Sequence, residues 1–160
     1  MPHACAVAGH ARRAEAWLDE MRDPENLEGP IEPNAICFNA VIHACAKTGD
    51  VERAARWIER MAGQGVAPTV NSYSTIIDRL AKNGDPEGAE GWLTRMNDAG
   101  VAADVVSYNM ILHSYSKTGS PAQALALFDQ MRARGVVPNT VCMNMLIGIR
   151  ARAGDAPGTL

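Results

Sequence analysis

Three consecutive stretches of this chain align with one another without a gap at a spacing of 35 residues. Residues 35–69 read AICFNAVIHACAKTGDVERAARWIERMAGQGVAPT, 70–104 read VNSYSTIIDRLAKNGDPEGAEGWLTRMNDAGVAAD, and 105–139 read VVSYNMILHSYSKTGSPAQALALFDQMRARGVVPN. A fourth copy begins at Thr140 and covers about half a unit to Leu160. At the other end, HACAVAGH at 3–10 echoes HACAKTGD at 43–50, so residues 3–23 match the middle and second half of an earlier copy. Self-similarity at a fixed period of this size marks a repeat array, in which each copy is one supersecondary unit that buries its apolar face only against its neighbours. The chain therefore divides into a partial repeat at 1–34, whole repeats at 35–69, 70–104 and 105–139, and a truncated repeat at 140–160. The partial repeat closes with DPENLEGPIEPN, five residues longer than the equivalent stretch after Met61. Broken units at both ends, neither resembling a polar cap, predict a piece of a longer array.

Each unit carries two apolar patterns of helical period. In 70–104 the first places Tyr73, Ile76, Ile77, Leu80 and Ala81 on one face, and the second Ala89, Trp92, Leu93 and Met96. Lys82-Asn83-Gly84 stops the first helix. Asp85-Pro86 starts the second, with an acidic N-cap and a proline where its missing N–H costs nothing; Ser120-Pro121 is expected to do the same one unit later. Gly65, Gly100 and Gly135 recur just past the second helix, where a left-handed residue ends helices. Helices of 12–13 residues are about 18–20 Å long. No stretch alternates as a strand would. The predicted fold is all-α, a right-handed α-solenoid of stacked helix-turn-helix repeats.

The totals exclude little. The net charge of −3 argues against gripping nucleic acid by bulk electrostatics, yet leaves room for a local basic stripe. No run of about 18 apolar residues is present, so no membrane span is expected. The first residues lack the apolar stretch of a secretory signal and carry acidic residues that a transit peptide avoids. Either no targeting segment exists or it lies in a missing upstream part. Cys37 and Cys142 share one register and Cys5 and Cys45 another; equivalent places in adjacent hairpins are about 10 Å apart, too far for a disulfide, and no zinc spacing is present. Trp17, Trp57 and Trp92, with Leu127 completing the column, are expected between hairpins as core. His43 and His113 share a register that Asp78 and Gly148 break, so no metal ladder is expected.

Three further columns are neither apolar nor indifferent to identity. Lys47, Lys82, Lys117 and Arg152 are cationic and 35 residues apart at the end of each first helix. They serve either the helix dipole or a row of phosphates. Asn39, Ser74, Asn109 and Asn144 lie one turn into each first helix, where asparagine is a poor helix former. Their side chains offer either hydrogen bonds to an adjacent hairpin or a donor and acceptor for a base edge. Asn34, Thr69, Asp104 and Asn139 close each unit, placed to cap the next helix and, alternatively or together, to touch a base. Between the last two columns, Ile36, Val106 and Val141 form an apolar ledge that Asn71 interrupts.

The 35-residue period, the stretch VVSYNMILHSYSKTGSPAQALALFDQMRARGVVPN and the closures GVAPT, GVAAD and GVVPN resemble the pentatricopeptide repeat family over nearly the whole chain. The resemblance implies single-stranded RNA as partner, one nucleotide per repeat, 5′ to 3′ as the protein runs N to C. It implies that the fifth and last residues of each repeat select the base. Asn39 with Thr69 looks like a loose pyrimidine preference, Ser74 with Asp104 like guanine, Asn109 with Asn139 like cytosine over uracil, and Asn144 like another pyrimidine. The implied target is 5′-Y-G-C-Y-3′, where Y is a pyrimidine. Ile36, Val106 and Val141 match the family's base-clamping position, from which Asn71 departs. Ala103 replaces a usual proline, and the lengthening near Asp23–Glu28 departs from the pattern too. The family also implies post-transcriptional work on transcripts of the mitochondrion or chloroplast.

A helical-repeat scaffold binding a protein or peptide is the competing reading. The best-known peptide-binding array has a period of 34 and a W-x-x-L-G-x-x-Y opening that is absent here. Catalysis is not expected: there is no Gly-rich phosphate loop, no His/Cys pairing at ligand spacing and no unique carboxylate pair. No cofactor and no metal are expected.

Overall fold

The structure, a computed structural model, describes residues 2–21, 23, 25, 33–118 and 120–152, with side chains from His10 onward. Among these residues all regular structure is helical: α1 Pro2–Met21, α2 Ala35–Lys47, α3 Val51–Gly63, α4 Val70–Lys82, α5 Pro86–Asp98, α6 Val105–Thr118, α7 Pro121–Ala133 and α8 Thr140–Arg152. From α2 onward each helix is 13 residues long, except α6 at 14. The expected two helices per repeat are therefore observed in the three whole repeats. The lengthening near Asp23–Glu28 lies largely outside the described residues.

The chain forms two compact units, Met1–Arg79 and Leu80–Leu160. In the first, α2 packs against both α1 and α3. Its core is Phe38, Val41, Ile42 and Cys45 from α2, facing Ala54, Trp57, Ile58 and Met61 from α3. The Phe38 and Trp57 rings meet with centroids 6.3 Å apart at a 54° tilt. In the second unit, α6 packs on α5, α7 and α8, and α7 also meets α8. There Tyr108, Ile111, Leu112 and Tyr115 of α6 are buried together with Ala89, Leu93, Met96, Ala124, Leu127 and Met131. The same registers thus fill both cores: an alanine at Ala54, Ala89 and Ala124 lets helices approach, and a methionine at Met61, Met96 and Met131 fills the gap one turn before the helix ends. Truncating a fully buried member such as Leu127 to alanine removes about 2–5 kcal/mol.

Turn chemistry follows the sequence with one exception. Asp50 Oδ1 accepts from Arg53 N at 3.0 Å, and Asp85 Oδ1 from Gly88 N at 3.0 Å. Ser120 occupies the same N-cap position but makes no side-chain capping bond; proline at the first turn leaves α7 one orphan donor fewer. Gly65, Gly100 and Gly135 have φ of 79°, 80° and 78°, the left-handed residues that end each second helix.

One expectation at the N-terminal end is corrected, and one feature was not foreseen. Residues 8–10 align with the turn at 48–50, yet α1 continues through them as one 20-residue helix. At the equivalent turn, Gly49 is left-handed and Asp50 caps α3; His10 stands where Asp50 does and supplies no comparable cap. Trp17 is 67% exposed rather than core. Trp57, its counterpart, is covered by Phe38 of its own hairpin and by Glu15 of the preceding helix; α1 has no such neighbours among the described residues. Trp57 is buried and Trp92 half-buried, and Leu127 is buried as expected.

Candidate functional site

The fifth residue of each first helix lies one turn past the entry loop, and in the repeats 35–69 and 105–139 its side chain sits beside the residue that closes the repeat. In the first unit the half-buried Asn39 donates through Nδ2 to Thr69 Oγ1 at 3.1 Å, while its Oδ1 accepts from Ser72 Oγ. Ser72, the third residue of α4, is fully buried and also accepts from Thr69 N at 3.0 Å. In the second unit the pattern repeats with different atoms. Asn109 Nδ2 donates to Asn139 Oδ1 at 3.5 Å, and Asn109 Oδ1 accepts from the thiol of buried Cys142, the third residue of α8. The Cys142 backbone N–H donates to Asn139 Oδ1 at 3.1 Å. A backbone N–H can only donate, so it fixes which Asn139 atom is oxygen, and that in turn fixes the orientation of Asn109.

The alternative of a hydrogen bond to the adjacent hairpin therefore holds for Asn39 and Asn109. It does not use these amides up. A side-chain amide has two donors and two lone pairs, and here one of each is occupied, leaving one donor and one acceptor. Ser74 is half-buried, with Oγ donating to Asn71 O at 3.4 Å, and Asn144 is exposed on α8. Ser74 and Asp104 belong to different units.

The closing column also caps. Asn34 Oδ1 accepts from Cys37 N at 3.2 Å, and Asp104 Oδ1 accepts from Ser107 N at 3.0 Å and Ser107 Oγ at 2.9 Å. Thr69 caps through its carbonyl, which accepts from Ser72 N at 3.0 Å. Asp104 uses Oδ1 for both bonds, which leaves the other oxygen of this exposed residue as a further acceptor.

The apolar ledge is exposed. Ile36 is 76% exposed, Val106 53% and Val141 55%, each the second residue of its helix; Asn71, in the same place on α4, is exposed as well. The cationic column is exposed throughout: Lys47 and Lys82 end α2 and α4, Lys117 lies in the last turn of α6, and Arg152 ends α8. Arg152 Nη1 donates to Ser116 O, in the last turn of α6, at 2.9 Å.

The periodicity gave no hint of a second polar column behind this face. Glu15 of α1 accepts from Trp57 Nε1 at 2.7 Å and from Arg53 Nε at 2.6 Å, forms a second contact with the Arg53 guanidinium, and accepts from the Cys45 thiol at 3.7 Å. Burial alone would raise the Glu15 carboxyl, but the bonds from Arg53 and Trp57 and the Arg53 charge outweigh it and hold it below the usual range. Burial and the neighbouring carboxylate push the Cys45 thiol up to about 11, so it is a protonated donor. In the second unit Glu90 takes the Tyr115 hydroxyl at 2.5 Å, and burial followed by this bond raises the phenol. Glu15 and Glu90 share a register, as do Cys45 and Tyr115. One hairpin's carboxylate thus receives a proton donor from the next. Arg60 and Arg95 stack over Trp57 and Trp92, each with Cζ 4.7 Å from the ring centroid. Both stacks lie on second helices.

Cys37, Cys45 and Cys142 are free thiols; Cys5 lies outside the described side chains. His43 and His113 are exposed, and no cluster of three potential metal ligands occurs among the described residues.

A family model described as the PPR repeat family matches residues 33–82 and 103–149, and a second, described as PPR repeat, matches 71–101. No curated protein sequence matches the chain. Among solved structures, the pentatricopeptide repeat protein PPR10 from maize is similar with a TM-score of 0.75 at 26% identity, over 88% of this chain and 19% of that one. PPR10 in complex with an 18-nt psaJ RNA element matches with a TM-score of 0.64 at 27% identity, over 94% of this chain and 22% of that one. The PPR domain of Arabidopsis thaliana protein-only RNase P 1, in complex with tRNA, matches with a TM-score of 0.69 over 94% of this chain and 77% of that one. Its 18% identity speaks to the fold alone. This chain thus spans about a fifth of the PPR10 structures it matches.

Proposed function

The chain belongs to the pentatricopeptide repeat family, and from that premise we propose that it binds single-stranded RNA, each repeat meeting one nucleotide. The observation that carries this reading is the recurrence, in both units, of a partly satisfied amide beside an exposed apolar side chain. Asn39 stands with Ile36, and Asn109 with Val106. A flat base needs an apolar surface for its face and a donor or acceptor for its edge, and this pairing offers both. The maize relative's RNA complex supports the partner class.

The edges give the order of bases. Asp104 presents an acceptor, which suits guanine, whose pairing edge carries adjacent N–H donors; with Ser74 it forms the second place of the target. Asn109 with Asn139 offers mixed donors and acceptors, which suits cytosine over uracil. Asn39 with Thr69, and Asn144, take pyrimidines. The target is then 5′-Y-G-C-Y-3′. Ile36, Val106 and Val141 clamp the bases and Asn71 clamps weakly. Lys47, Lys82, Lys117 and Arg152 face phosphates. The activity is binding rather than catalysis, acting on processing, stability or translation of transcripts in the mitochondrion or chloroplast.

A protein or peptide partner is the second reading, favoured by the net charge of −3. Fluorescence anisotropy with labelled oligonucleotides separates the two. RNA binding weakens steeply as salt rises, and guanine at the second place outbinds adenine. Salt-independent binding rejects the RNA reading, and equal binding of both oligonucleotides rejects the base assignment.

A further inference from the structure

The repeat 70–104 differs from the whole repeats that flank it at two places, and these meet Tyr108 of the next helix in one cavity. Asn97 stands where the flanking whole repeats have Ala62 and Arg132, and Ala103 stands where they have Pro68 and Pro138. Tyr108, the fourth residue of α6, shares its register with Phe38, Tyr73 and Met143. Asn97, Ala103 and Tyr108 line a cavity of about 230 Å³ behind the closing loop, with Arg134 at its rim.

The substitutions are chemically linked. Because residue 103 is not proline it has an N–H, and that N–H donates to Asn97 Oδ1 at 3.5 Å. The bond holds the amide by Oδ1, and Nδ2 at its other end is buried and finds no acceptor. The Tyr108 side chain is fully buried, at 0% exposure, and its hydroxyl is likewise unpartnered. Asn97 Nδ2 can only donate, the hydroxyl has a proton to give, and the Arg134 guanidinium is donor-only and charged. No carboxylate lines the cavity.

We propose that this cavity is a binding site for a phosphate-sized oxyanion, held by Asn97 Nδ2 and the Tyr108 hydroxyl with Arg134 as counter-charge. Water would satisfy the two buried donors, but the volume is several times the roughly 30 Å³ share of one water, and the positive charge of the exposed Arg134 favours an anion over a neutral occupant. The anion is either free phosphate or a phosphate of a bound strand.

Titration of the ¹⁵N-labelled 160-residue chain with inorganic phosphate at constant ionic strength tests the site. Saturable shifts of the Ala103 and Tyr108 amide signals are expected, weakened about tenfold or more in Asn97→Ala, the residue found one repeat earlier, and in Tyr108→Phe, the residue found two repeats earlier. Ala103→Pro, which removes the donor that holds the amide, serves as a third variant should Tyr108→Phe fail to fold. An RNA oligonucleotide added at saturating phosphate then separates the sources: displacement assigns the anion to the strand, coexistence to free phosphate, and either supports the site. Linear, non-saturating shifts, or shifts unchanged in the variants, overturn it.

Discussion

The Asn39 side-chain amide donates to Thr69 Oγ1 at 3.1 Å, joining the fifth and last residues of one repeat across 30 positions of sequence. With Ser72 on its other side, Asn39 is a structural residue as well as a candidate reader. Asn39→Ala therefore destabilises the chain by about 1–2 kcal/mol, since two bonds are lost and buried Ser72 loses an acceptor. Urea unfolding followed by circular dichroism measures it.

The proposed target assigns guanine at the second place to Ser74 with Asp104. Replacing Ser74 by Asn, with Asp104 unchanged, shifts preference from guanine toward uracil. Anisotropy with oligonucleotides differing at that one place reads the change, and an unmoved preference rejects the pairing.

The ledge is exposed, so its residues change binding with little effect on folding. Asn71→Val tightens RNA binding by up to about 1 kcal/mol, and Val106→Asn weakens it by a similar amount. Unfolding free energies stay within about 0.5 kcal/mol of the parent.

Lys82→Ala and Lys117→Ala weaken all RNA sequences alike. Each lowers the slope of log affinity against log salt by about 0.7, the share of one single-strand phosphate contact. Unaltered binding in both variants leaves the column as helix-end electrostatics.

Glu15 sets a pH dependence. Its carboxyl titrates lower in the folded chain than in the unfolded one. The stability it contributes is therefore present above the unfolded value and lost as pH falls through the folded one. Glu15→Gln flattens the acid side of the stability profile, and Glu15→Ala costs about 1–3 kcal/mol near neutrality by stranding Trp57 and Arg53. Thermal melts between pH 3 and pH 7, about the carboxylate range, report both effects.

The helices, their caps and the core columns were legible because they are local or periodic. Asp85-Pro86, Ile76 with Ile77, and the glycines at 65, 100 and 135 declare themselves by type and spacing. The polar column behind the site was not legible. Glu15 and Glu90 are separated by two repeats and the five-residue lengthening, which hides their shared register, and their partners, a thiol with an indole in one case and a phenol in the other, look unrelated. The continuity of α1 was missed because the echo at 3–10 preserves the glycine and loses the aspartate that caps α3. At the candidate site the columns were visible, but the hydrogen bonds that hold them were not. Nothing in the letters tells that Ser72 and Cys142 deliver a proton to the amide one hairpin back.

Because Asn39 and Asn109 are each held at both ends, their rotamer entropy has been spent on folding rather than at encounter. A ligand reaching them meets a preorganised edge, and its affinity is not reduced by having to order those side chains. The gain recurs wherever the third residue of the following hairpin can donate. Lengthening such an array then raises affinity stepwise, each added module bringing its own rigid reader.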